Sequence, residues 1–158
     1  MGKEDGTASS TQTVVDFTHP LYLHPSDTQS VTLVSQVLRG AENYEVWSRS
    51  ITLALLAKNK MGIIDGTCTR EDQDPHLCDL WDRCNAIVLS WLINSVDKQI
   101  ATSIVFSNSA RLVWLDLKDR FHKADGMRIF TLHKMINSII QGTMNVSEYY
   151  TKLKDLWE

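Results

Sequence analysis

The chain of 158 residues carries 43% apolar and 22% charged side chains and a net charge of −3. This is ordinary globular composition, and the length suffices to bury a core without metals or disulfides. The charge balance excludes a globally basic phosphate-binding surface, and no apolar run approaches the ~18 residues of a membrane span. The three cysteines, Cys68, Cys78 and Cys84, form an odd set with no signal-like segment before them. Together these features predict a soluble, cytoplasmic chain with reduced thiols.

Residues 1–16 are small and polar and are expected to be a disordered tail, because they cannot bury enough surface to offset ordering entropy. Residues 17–43 are expected to form an extended arm. Its first part alternates apolar and aromatic residues with His19, Pro20, His24 and Pro25, and each proline biases its neighbourhood toward extended backbone. Val31 to Leu38 reads as a short strand or a helical turn, since its apolar spacing fits neither period.

Asn43, a residue suited to capping, precedes Tyr44, Trp47, Ile51 and Leu55, which predicts a helix over 44–58. Lys60 to Thr67 holds two glycines and reads as a turn. Asp74 before Pro75 is a helix start, and Leu77, Leu80, Trp81, Cys84, Ile87, Val88 and Trp91 extend an amphipathic stripe to about Asn94.

A short helix is predicted over 97–105. Asn108 is expected to cap another, with Leu112, Val113, Leu117 and Phe121 on one face. Ile129 to Ile140 line a further helix ended by Gly142, and Ser147 is expected to cap a last one striped by Tyr150, Leu153, Leu156 and Trp157. That helix is still running at Glu158, so the reading is of a polypeptide cut short. Residues 44–158 are thus expected to form an all-α domain.

Site chemistry is sparse. Cys78 and Cys84 lie six residues apart on one predicted helix, about 240° around it, which is the wrong arrangement for a zinc site. His19, His24, His76, His122 and His133 are scattered, and neither a nucleophile elbow nor a phosphate-binding glycine loop occurs. No catalytic residue, cofactor or metal is predicted. Residues 65–97 hold seven acids against two bases, a segment nucleic acid would avoid.

Several linked phrases resemble the N-terminal Gag region of plant copia-type LTR retrotransposons. They include Pro20-Leu21-Tyr22-Leu23-His24-Pro25, Asn43-Tyr44 with Trp47-Ser48-Arg49, Ile64-Asp65-Gly66-Thr67 and Trp81-Asp82-Arg83-Cys84-Asn85. Ser90-Trp91-Leu92, Val113-Trp114 and Tyr149-Tyr150-Thr151-Lys152-Leu153 continue the pattern.

The resemblance implies a capsid-like domain of five to six helices in which Asn43, Tyr44, Trp47, Gly66, Trp81 and Trp114 are structural. It implies association with copies of itself or related Gag chains, no membrane, and RNA contact only through a later zinc knuckle missing from this sequence. Tyr149, Leu156 and Trp157 are the candidate self-association residues. One alternative is a nucleic-acid-binding module using Lys118, Arg120, Lys123, Arg128 and Lys134, and the other is an inert retrotransposon-derived remnant.

Overall fold

The computed structural model describes residues 15–122, 130, 131, 134 and 145–157, with the side chains of 153, 156 and 157 excepted. The fold is all-α, with six α-helices among the described residues. These are α1 (Tyr44–Ala57), α2 (Met61–Asp65), α3 (Cys78–Asn94), α4 (Lys98–Ile104), α5 (Ala110–His122) and α6 (Val146–Trp157). No strand forms among the described residues. The ambiguous Val31 to Leu38 segment is neither predicted alternative, and its one ladder contact is a single parallel bridge between Leu38 and Val96.

α1 buries Tyr44, Trp47, Ile51 and Leu55, the stripe predicted for it. It ends because Asn59 turns into the left-handed region at φ 54°. Lys60 N–H then reaches back to Leu55 O at 2.8 Å and Asn59 N–H to Leu56 O at 3.0 Å. This paired closure satisfies two otherwise orphan carbonyls, with asparagine where glycine is usual.

Asn43 does not cap α1 through its side chain as expected. Its Oδ1 accepts from Arg39 N at 3.0 Å and Gly40 N at 3.4 Å, while Nδ2 donates to Val37 O at 2.9 Å. The residue therefore fastens the end of the arm to the start of the helix.

The turn expected over Lys60 to Thr67 is instead the short helix α2, which buries Ile63 and Ile64. Two glycines suggested a loop, but Gly62 sits inside the helix, where a Cβ would meet Cys68 Cβ at 2.9 Å. Gly66 at φ 85° ends it, and a Cβ there would collide with the Arg111 guanidinium lying across it. Tertiary packing against α5 overrides the local signal.

A 3₁₀ turn over Pro75–Leu77 leads into α3, whose Cys84, Val88, Trp91 and Leu92 lie in the core. α5 packs along α3, and Asn85 fixes their register. Its Nδ2 donates to Asn108 O at 2.8 Å, and its Oδ1 accepts from Ala110 N at 3.0 Å.

Two predicted caps move by one or two residues. At α5, Ser109 Oγ accepts from Leu112 N at 3.3 Å, so Ser109 and not Asn108 is the cap. Leu112 also turns outward rather than into the core, which takes Ala110, Val113 and Leu117. At α6, Asn145 Oδ1 accepts from Glu148 N at 2.8 Å and Glu148 Oε2 accepts from Asn145 N at 3.3 Å. This reciprocal box makes Asn145 the cap instead of Ser147. Of the tail expected to be disordered over 1–16, residues 1–14 lie outside the described residues, as does most of the helix expected over 129–140, while Val15 packs against the core and Asp16 Oδ1 accepts from Thr18 N at 2.8 Å.

Candidate interaction surface

The arm is bound to the helices by side chains that reach its backbone. Leu21 is fully buried, and polar anchors surround it. Lys60 is only 1% exposed, and its ammonium donates to Pro20 O at 2.9 Å, Tyr22 O at 2.6 Å and Lys58 O at 3.4 Å. Burial disfavours the charge and lowers the lysine pKa, while the three carbonyls supply the acceptors a buried ammonium needs. The α1 closure aims this side chain inward.

Between the two lysine-bound carbonyls, Cys84 S–H donates to Leu21 O at 3.3 Å. Burial pushes that thiol up to about 11, so it stays protonated. Trp91 Nε1 donates to Thr28 O at 2.8 Å and Asn94 Nδ2 to Gln29 O at 2.8 Å. Lys58 pairs with Asp27 at 2.5 Å and lies over the Trp91 ring at 5.2 Å.

The arm's other end meets the end of α3. Ser95 O accepts from both Leu38 N at 2.9 Å and Trp47 Nε1 at 2.8 Å, filling both of its lone pairs. Tyr44 and Trp47 are buried, Trp81 Nε1 donates to Cys68 O at 2.9 Å, and Trp114 stacks at a tilt on Trp47 at 5.7 Å.

The histidines do not converge. His19 Nδ1 accepts from Leu21 N at 3.1 Å and His24 Nδ1 from Ser26 N at 3.1 Å, both holding arm turns. His122 pairs with Glu45 at 2.8 Å, and His133 lies outside the described residues. Among the described residues no group of three His, Cys, Asp or Glu could hold a metal, and no helix is long and apolar enough to cross a membrane. Of the five bases considered for nucleic acid, Arg120 is engaged by Ser103 at 2.9 Å and Asp116 at 3.3 Å. Lys123 and Arg128 lie outside the described residues.

Among the described residues, apolar side chains lie on the outside at Phe17, at Leu112 and Leu115 of α5, at Phe130, and in three further groups. α6 exposes Val146 and Tyr150 and half-buries Tyr149, while the side chains of Leu156 and Trp157 lie outside the described residues. The outer side of α1 exposes Val46, Leu53 and Leu56, beside a groove of about 420 Å³ between that helix and the arm. The turn between α4 and α5 exposes Val105 and Phe106, the latter by 91%. Sequence reasoning missed the last two. The available signal was Gln99 to Ala110, a run without one ionisable side chain.

Fold and surface together define a helical domain held by a buried lysine and an inserted arm, with apolar residues left over on its faces. Residues 24–70 match the family model of the Gag polypeptide of LTR copia-type elements, so over that stretch the chain is similar to that family. The match runs from the arm through α1 and α2. A Gag-type domain is generally structural rather than catalytic. No curated protein and no solved structure matches the chain.

Proposed function

We propose that this chain is the assembly portion of a copia-type Gag polypeptide, acting by association with copies of itself or related Gag chains and catalysing no reaction. The observation that carries this reading is α6. Val146, Tyr149, Tyr150, Leu153, Leu156 and Trp157 fall on one side of that helix by its 3.6-residue period, and two of them are already exposed. A helix with one apolar face is stable in water when that face is covered, and aromatic residues are enriched where proteins meet.

The test is mass in solution by light scattering over a concentration series, comparing the full chain with one lacking residues 147–158. Mass that rises with concentration, and a deletion that abolishes the rise, support association through α6. A full chain that stays monomeric at every concentration overturns the assembly reading and leaves the inert remnant.

A further inference from the structure

The Val105–Phe106 turn is exposed but tethered. Val105 N donates to Ala101 O at 3.0 Å and Ser107 N to Ile104 O at 3.0 Å, and Asn85 clamps the chain at Asn108 and Ala110. A phenyl ring 91% exposed on a turn held at both sides is a projecting knob. Among the described residues, none covers it.

The groove of about 420 Å³ is lined by Leu33, Val34, Val46 and Trp47, with Ser35, Gln36, Asn43 and Ser50 at its polar positions. None of the eight carries a charge. The knob belongs to the twelve-residue uncharged run Gln99 to Ala110, in a chain holding 16 bases and 19 acids. Neither the lining of the groove nor the run itself holds an ionised group to be stripped of water, the largest penalty on burying a polar surface. Ser107, Asn108 and Ser109 beside the knob match the hydroxyl and amide groups of the groove.

We propose that Phe106 of one copy seats in the groove between the arm and α1 of a second copy. This goes beyond the α6 contact while resting on the same assembly reading. Knob and groove are different patches, so the contact is head-to-tail and adds copies into rings or open arrays instead of closing a pair. One ring in one groove buries much less than the ~1,200 Å² of a stable specific interface, so each contact is weak and gains strength by repetition.

The experiment places the photo-crosslinker p-benzoylphenylalanine at position 106 of the full chain and mixes it with an isotope-labelled, otherwise natural chain. Crosslinks from position 106 to labelled peptides carrying residues 33–36 or 43–50, lost when the labelled chain carries Val46→Glu, are the expected result. Val46 is 61% exposed, and unchanged circular dichroism would confirm that this variant folds. Crosslinks confined to the chain's own peptides, landing elsewhere, or absent would overturn the proposal. Light scattering on the same samples separates the two readings. Mass that rises without a crosslink in the groove removes this contact and leaves assembly standing. A crosslink in the groove without a rise in mass leaves a weak contact and removes the α6 reading.

Discussion

Replacing Lys60 with methionine keeps an unbranched side chain, one atom shorter, and removes its three N–H donors. The two short bonds, to Tyr22 O at 2.6 Å and Pro20 O at 2.9 Å, come from a charged donor and are worth about 1.5–3 kcal/mol each. Against their loss stands the relief of a buried ammonium, a cost visible in its lowered pKa and amounting to a few kcal/mol. The carbonyls of the half-buried Pro20 and Tyr22 would lose these donors, so the loss wins by about 3 kcal/mol. For a domain of this size that lowers the melting temperature by roughly 10 °C. Urea unfolding gives the stability, and hydrogen exchange at Leu21 and Tyr22 gives the state of the arm. A Lys60→Met chain within about 0.5 kcal/mol of the natural one, with those amides protected as before, would refute the claim that the lysine binds the arm.

Gly66→Ala places a Cβ where the Arg111 guanidinium lies and forces an L-residue to φ 85°, so it should cost about 1–2 kcal/mol in urea melts. Part of that cost should return when Arg111→Ala is added. Asn85→Ala removes both bonds that set α5 on α3 and should cost about 2–3 kcal/mol in the same assay. Above pH 9 the Cys84 thiol ionises in the unfolded chain before the folded one, whose value is about 11. The unfolded state then holds fewer protons, so this contribution is full below pH 9 and is lost as pH rises toward 11. Unfolding curves of Cys84→Ala should lack that part of the slope. In thiol labelling of the folded chain, half-buried Cys78 should react first, with buried Cys68 and Cys84 waiting for unfolding.

The helices most legible in the sequence are those whose burial follows one period. α1 and α3 carry long apolar stripes, and such stripes report which face is covered whatever covers it. α2 was illegible for the opposite reason. Five residues are too few to show a period, and its two glycines look like loop residues unless the neighbours Cys68 and Arg111 are in view. The caps were misplaced because Asn and Ser stand within two residues of each other at both helix starts, and which oxygen meets an amide depends on the incoming chain.

The arm's mode of binding could not be read at all. A lysine after a helix reads as solvent-facing, and only the left-handed Asn59 turns Lys60 inward. On the surface, a stripe search finds α6 but passes over Phe106, which belongs to no stripe. The uncharged stretch around it was visible in the sequence without its meaning.

The bonds that fix the arm also set an order of events during synthesis. Thr28 leaves the ribosome 63 residues before its partner Trp91, and Gln29 leaves 65 residues before Asn94. At about 5–20 residues per second, the arm waits for roughly 3–13 s with Leu21 uncovered. Trp47 likewise has no acceptor until Ser95 follows, 48 residues later. The segment matching the Gag family ends at residue 70, before either α3 partner exists. That segment is therefore a unit of sequence similarity without being a unit of folding, and a nascent chain stalled at its boundary would offer a long apolar arm to chaperones instead of a finished domain.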